Sequence, residues 1–222
     1  MLKFHILTLF PEALRPYLET SMLRKAAERK LVQIKLVNPR DFTLDKHHKA
    51  DDRPYGGGPG MVLKAEPILR AISKLEARNS KQKKSFGFRN SKFVLTSPRG
   101  KQFTNAMAAK WAKQYEQIVI IAGHYEGIDA RVKKILKAEE ISVGPYTLTG
   151  GEVPALVMVD AITRRLPGVL GKEESLEEKR IAPEQTYTRP EILTFKGKKY
   201  RVPKVLLSGH AANIAKWREG AG

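Results

Sequence analysis

The stretch from Gly144 to Gly171, GPYTLTGGEVPALVMVDAITRRLPGVLG, decides how this chain reads. Five glycines and three prolines bracket an apolar, helix-like run that ends in the adjacent arginines Arg164 and Arg165. Glycine lets backbone come close to a ligand or another strand, and proline stiffens the turn. A helix that starts inside such a loop offers free N–H groups to a bound molecule. The expectation is a ligand-binding loop feeding a helix over 152–164.

Moving outward, strands and helices alternate. Residues 3–10 read as a buried strand stopped by Pro11, with one helix over 12–29 behind it, and residues 32–37 read as a second strand. A long loop spans 38–60, and a helical pattern follows over 66–78. Residues 78–92 are polar, basic and aperiodic, as in an exposed insertion. Residues 93–96 form a strand running into a Ser97-Pro98-Arg99-Gly100 turn; 104–115 are helical, and 117–122 (QIVIIA) are a buried strand. Ile128, Val132, Ile135 and Leu136 recur at helical spacing, and 141–143 are a short strand. This order predicts an α/β fold with a mostly parallel sheet, with ligand loops at the carboxyl ends of strands near Thr96, Gly123 and Gly144. After Gly171 the composition shifts to GKEESLEEKRIAPEQ, a charged linker, and a short basic tail follows.

Lysines and arginines number 41 against 23 acids, a net charge of +18. A phosphate backbone is the commonest partner of such a field. No stretch approaches ~18 apolar residues, and the start MLKFHILTLFPE lacks a basic n-region and cleavage site, so neither a membrane span nor a signal peptide is expected. With no cysteine, disulfides, thiolate nucleophiles and cysteine–zinc sites are excluded, and a cytoplasmic protein is the natural inference.

The glycine-rich run from Asp51 to Met61, DDRPYGGGPGM, fails as a P-loop, because Gly60 is followed by Met61 and Val62 rather than Lys and Ser/Thr. It fails as a dinucleotide fingerprint because Met61 stands where the third glycine belongs. On pattern alone a surface loop and a ligand loop fit it equally. His47 and His48 lie near Asp45, Asp51 and Asp52, but at no zinc or calcium spacing, so no metal site is assigned. Nothing marks an activated serine for a Ser-His-Asp arrangement. The loop Gly123-His124-Tyr125-Glu126-Gly127 admits plain turn chemistry and a ligand site alike. A tyrosine can stack on a purine, and a carboxylate can accept from amino or hydroxyl groups.

These blocks in this order resemble the bacterial tRNA (guanine-37-N1)-methyltransferase family. The similarity also takes in Leu9-Phe10-Pro11, Pro39-Arg40-Asp41-Phe42-Thr43, Ser97-Pro98-Arg99-Gly100 and Tyr187-Thr188-Arg189-Pro190-Glu191. It continues through the run VPKVLLSG at 202–209 to Ile214 and Trp217-Arg218. The resemblance implies a SPOUT-type α/β fold with a deep trefoil knot over 1–169, a flexible linker over 170–186 and a small helical tRNA-binding domain over 187–222. It implies a cytoplasmic homodimer that takes tRNA and S-adenosyl-L-methionine, with magnesium as a candidate second cofactor and no metal ligands assigned.

By the same resemblance the cofactor is held by Leu95, Thr96, Ser97 and Pro98, by Gly123, Tyr125, Glu126 and Gly127, and by Val143, Gly144, Pro145, Tyr146, Thr147, Leu148, Gly150, Gly151 and Pro154. A side chain at Gly150 is expected to fill the cofactor's approach path. Asp52, Tyr55, Arg189 and His210 are the implied RNA contacts. Arg164 matches the family arginine that serves guanine O6, although unmatched it would read as a helix C-terminal cation. The family's general base is usually a linker aspartate, yet no aspartate follows Asp160 here, and Lys179 stands at that place. Glu178, then Glu177, are nominated instead, against an equal reading of them as a solvated charge run. Pro145 replaces a common aspartate, and Ser208-Gly209-His210-Ala211 departs from Ser-Gly-Asn-His. A knotted methyltransferase with another RNA target, and a silent RNA-binding relative, are the rival readings.

Overall fold

The computed structural model describes residues 1–79, 90–170 and 185–220. By internal contacts the chain divides into two compact units, Met1–Val169 and Leu170–Gly222.

Unit 1 is built on a five-stranded sheet. Its strands are β1 (Leu2–Leu7), β2 (Val32–Val37), β5 (Ser91–Gln102), β6 (Gln117–Ile121) and β7 (Glu139–Ser142), in the order β2-β1-β6-β5-β7. Every neighbouring pair in it is parallel. A parallel sheet needs crossovers, and those put helices on both faces. Alternate residues of β1 therefore serve two cores. Phe4 and Ile6 join Val94, Ile118, Ile120 and Ile141 under the helices α1 (Pro11–Leu18), α2 (Ser21–Glu28), α4 (Asn105–Gln114) and α6 (Glu152–Thr163). Leu7 joins Val119, Ile121 and Leu95 under α3 (Ala65–Asn79) and α5 (Ala130–Leu136). A two-stranded antiparallel pair, β3 (Asp51–Asp52) and β4 (Val62–Leu63), stands apart from the sheet.

The α/β class and the parallel sheet are as the alternation predicts, and several details differ. The first strand ends at Leu7 rather than Phe10, because the Thr8 hydroxyl accepts the Phe10 N–H at 2.9 Å and turns the chain. The single helix expected over 12–29 is two helices. Thr20 sits between them in extended conformation, and its hydroxyl donates to Tyr17 O at 2.9 Å instead of continuing the helix. Part of the expected insertion, residues 80–89, lies outside the described residues, while Ser91 and Lys92 belong to β5.

Unit 2 is not wholly helical, as the resemblance implied. It carries a hairpin of β8 (Ile192–Phe195) and β9 (Lys198–Arg201), followed by the short helix α7 (Lys204–Leu207) and α8 (Ala211–Gly220).

His5 lies within β1, opposite Lys35 of β2 and Val119 of β6, and is 5% exposed. Burial is the main force pushing its pKa down to about 4; Gln117 opposes by hydrogen bonding, and Lys35 and Lys3 add repulsion. Between its ordinary 6.5 and about 4 the unfolded chain binds a proton here that the folded chain refuses. His5 therefore costs nothing above pH 6.5, and the stability is lost as pH falls through that window. A His5→Gln variant should lose less stability than the parent between pH 6.5 and 4.5 in urea titrations, by roughly 2–3 kcal/mol. Equal losses in both proteins would contradict the assignment.

Candidate functional site

Three loops leave the carboxyl ends of the adjacent strands β6, β5 and β7 and meet. They line a cleft of about 620 Å³. Each loop is set by local backbone demands.

In β5, Ile141 pairs with both Thr96 and Lys101, so residues 97–100 bulge out of the ladder. Gly100 closes that excursion, where a Cβ would lie 2.5 Å from the Glu140 backbone. After β6 the chain turns through Tyr125 at φ +58° and Gly127 at φ +128°. Glu126 N–H donates to Met61 O, Leu63 N–H to Gly127 O and Asp129 N–H to Leu63 O, all at 3.0 Å. The glycine-rich Asp51 loop is thereby tied to the cleft rim, which its own pattern left undecided.

After β7, the Ser142 hydroxyl donates to Gly144 O at 2.8 Å and receives the Gly144 N–H at 3.3 Å. The loop then runs back to α6, and Gly151, its N-cap, donates to Gly123 O at 2.7 Å. Gly123 N–H in turn donates to the Thr96 hydroxyl at 2.8 Å. All three loops are thus stitched together at one point.

Of the nominated cofactor residues, those from Leu95 to Pro98, the four of the Gly123 loop, and Val143, Tyr146, Thr147, Leu148, Gly150, Gly151 and Pro154 line this cleft. Gly144 and Pro145 do not; their segment shapes the turn behind it. A Cβ on Gly150 would fall 2.3 Å from Glu152 Oε2 and 2.7 Å from His124 Nδ1. Protein side chains already crowd that position at the cleft wall.

The cleft also takes in Arg99, His124, Glu140 and Thr149, which carried no assigned role. His124 had a signal, since it sits inside the quoted GHYEG loop. Its ring lies 5.0 Å from that of Phe10 and 4.5 Å, edge-on, from that of Tyr125. Glu152 stands behind it, accepting from the buried Thr8 hydroxyl at 2.7 Å, with its other oxygen 4.0 Å from His124 Nδ1. No spacing in the sequence announces a pairing of residues 8 and 152.

Arg164 is the C-cap of α6, half-buried, and does not line the cleft. The 12 residues of α6 separate it from Gly151, about 18 Å along the helix axis. Glu177 and Glu178 lie outside the described residues. Asp52 is exposed; Arg53 N–H and, at 3.2 Å, the Lys64 ammonium hold its carboxyl below the usual carboxylate range. Tyr55 on the same loop is fully exposed. Arg189 and His210 are exposed in unit 2. Among the described residues no three His, Asp or Glu side chains gather to hold a metal ion, and no helix is long and apolar enough to cross a membrane.

The family model described as tRNA (Guanine-1)-methyltransferase TrmD matches residues 2–221. A tRNA (guanine-N(1)-)-methyltransferase of Desulforamulus reducens is 44% identical over 221 residues, covering 98% of this chain and 82% of the relative. One from Carboxydothermus hydrogenoformans is 45% identical over 222 residues, covering 98% and 81%. The crystal structure of a tRNA (m1G37) methyltransferase from Aquifex aeolicus superposes with a TM-score of 0.78 at 37% identity, covering 98% of this chain and 87% of that one.

The junction makes a testable demand. A Cβ on Gly151 would sit 2.0 Å from the Thr96 hydroxyl oxygen, 2.6 Å from Gly123 N and 2.7 Å from Ala122 Cα, and two of these are backbone. Gly151→Ala should cost about 3 kcal/mol or more by overpacking. In thermal unfolding that is a Tm lower by roughly 6–12 °C. Gly56→Ala, in an open loop at φ +86° with nothing within 4 Å, should shift Tm far less. Equal Tm values for Gly151→Ala and the parent would show that the three loops do not meet as described.

Proposed function

The chain belongs to the tRNA (guanine-1)-methyltransferase family, and from that membership we propose that it transfers a methyl group from S-adenosyl-L-methionine to N1 of guanine 37 in tRNA. The carrying observation is the stitched three-loop cleft at the carboxyl edge of the parallel sheet. Its volume suits a nucleoside-sized molecule. Much of its wall is loop backbone, which offers N–H and C=O groups to adenine and to the amino-acid end, while Leu95, Ile141, Val143 and Pro154 supply apolar surface. Glu126 and Tyr125, both exposed on the rim, are suited to ribose hydroxyls and an aromatic face.

Bound S-adenosylmethionine supplies a methyl group on a positively charged sulfur. The carbon–sulfur bond breaks as the carbon–N1 bond forms. The N1 proton leaves to a base, and negative charge gathers on guanine O6 as it does so. Glu178, or Glu177, takes the proton in this reading, and the Arg164 guanidinium meets O6.

Arg164 stands too far from its own cleft to act there, and this supports a homodimer. Helix α6 is apolar nearly all round, yet Val153 and Val157 on it are exposed, and helices of that kind are normally covered. Val153, Val157 and Arg164 fall on one stripe, so a partner that covers the valines also takes up Arg164. In an isologous dimer that carries the arginine of each chain toward the other's cleft.

A trefoil knot belongs to the same reading. Its support is the close crossing at Gly151, where three segments pass with no room for a methyl group. The linker over 170–186 and the tRNA-binding role of 187–222, including Arg189 and His210, complete it, with Asp52 and Tyr55 as RNA contacts beside the cleft. The net charge of +18 fits an RNA substrate, and tRNA places the protein in the cytoplasm.

The test is single-turnover methylation of a tRNA transcript, with and without magnesium. Glu178→Gln should slow the chemical step by roughly 10²–10⁴-fold without weakening cofactor binding. Glu177→Gln is the control, and Arg164→Ala should slow the same step. Mixing Arg164→Ala subunits with Glu178→Gln subunits should restore activity if the two groups meet across the dimer. Wild-type rates in both glutamine variants would overturn the carboxylate base. Cofactor binding without transfer by the parent would leave the silent-relative reading.

A further inference from the structure

The hairpin of unit 2 has two unlike faces. Its turn is Lys196-Gly197, both at positive φ, which joins two strands in the register Leu193↔Tyr200 and Phe195↔Lys198. Alternation places Ile192, Thr194, Lys199 and Arg201 on one face, and Leu193, Phe195, Lys198 and Tyr200 on the other. Ile192 is half-buried, like Val202, Val205, Leu206, Ile214 and Trp217, so the first face meets the unit's modest apolar interior at Ile192, while Thr194, Lys199 and Arg201 on it are exposed.

The second face is open. Leu193, Phe195 and Tyr200 are 57%, 60% and 53% exposed. Lys196 holds its ammonium 5.6 Å from the centre of the Phe195 ring. Two strands alone are marginal in water, so a hairpin that presents aromatic rings outward is built for contact.

Charge identifies the occupant. From Tyr187 to Arg218 there are eight lysines and arginines against one acid, Glu191. Lys198 on the same face and Lys196 at the turn border the aromatic pair, and Lys199 and Arg201 lie on the reverse face of the same hairpin. Aromatic faces bordered by cations are how proteins hold unpaired bases, because every base has a face to stack and a phosphate beside it. A protein partner would have to be strongly acidic to tolerate the same border.

We propose that the Leu193–Phe195–Tyr200 face is a stacking platform for unpaired bases of the RNA substrate. The proposal rests on the reading of this chain as a tRNA methyltransferase, and it assigns the platform a contact chemistry separate from that of the cofactor cleft. Phe195 and Tyr200 stack, and Lys196 and Lys198 beside them follow the phosphates. Duplex RNA, whose bases are already stacked on one another, gains nothing from the rings.

The experiment measures binding of the full chain to three probes at several salt concentrations: a tRNA transcript, a single-stranded oligoribonucleotide, and a blunt RNA duplex. Phe195→Ala and Tyr200→Ala should each weaken tRNA and single-strand binding by about 5- to 100-fold, leave duplex binding unchanged, and keep the slope of affinity against salt. Lys198→Ala should weaken all three probes and flatten that slope. Phe195→Leu, which keeps the apolar surface and removes the ring, should behave like Phe195→Ala, and Tyr200→Phe should retain affinity.

Three results would overturn the platform. One is unchanged single-strand affinity in both alanine variants; another is full affinity in Phe195→Leu. The third is a change of assembly state in sedimentation on loss of the rings, which would make the face a protein interface. Methylation by the parent separates this from the underlying reading: a parent that methylates tRNA while the ring variants bind normally refutes the platform alone.

Discussion

Everything in the catalytic unit turns on one backbone junction, where Gly151 N–H meets Gly123 O and Gly123 N–H meets the Thr96 hydroxyl. Three parallel strands end side by side, and their loops would otherwise splay into water. The junction draws them into one wall, and it works only because position 151 carries no side chain. A methyl group there would need space occupied by the backbone of residues 122–123 and by the Thr96 hydroxyl. That is a steric requirement more than a conformational one, since Gly151 itself sits at φ −85°. The cleft, the entry of α6 and the orientation of Glu152 toward Thr8 and His124 all follow from it.

Much of this was legible in the residues because the relevant signals are local. Residues 32–37 read as a strand and form β2 with those bounds, and QIVIIA reads as buried and pairs on both sides within the sheet. The glycines at 123, 150 and 151 mark the cleft because only glycine tolerates such close approach. The failures were tertiary or ambiguous. Thr20 breaks a run of good helical spacing by turning its hydroxyl onto Tyr17 O. The partnership of Thr8 with Glu152 spans 144 positions and leaves no trace in spacing. The hairpin of unit 2 was readable in principle from Leu193, Phe195 and Tyr200, but its Lys-Gly turn is a weaker cue than Asn-Gly. The parallel sheet needed only alternation, whereas the trefoil knot has no periodicity at all and entered through resemblance alone.

The molecule divides its labour by chemistry. Backbone and small residues shape much of the cleft. Charged side chains gather in unit 2, with eight lysines and arginines between Tyr187 and Arg218. Arg164 stands apart: it ends α6, about 18 Å along the helix axis from Gly151, on the same stripe as the exposed Val153 and Val157. The proposed second copy would cover the helix's exposed valines and take up the arginine together. No aspartate occurs beyond Asp160, and the proposed glutamate base is a longer arm of similar basicity.

The measurement that bears most directly on this account is the destination of the methyl group. The protein is incubated with methyl-labelled S-adenosylmethionine and an unmodified tRNA transcript, and the product is digested and mapped nucleotide by nucleotide. The account predicts 1-methylguanosine at position 37 and no label in a transcript bearing adenine there. Label at another base or on a ribose hydroxyl, or no transfer by a protein that binds both cofactor and tRNA, would contradict it.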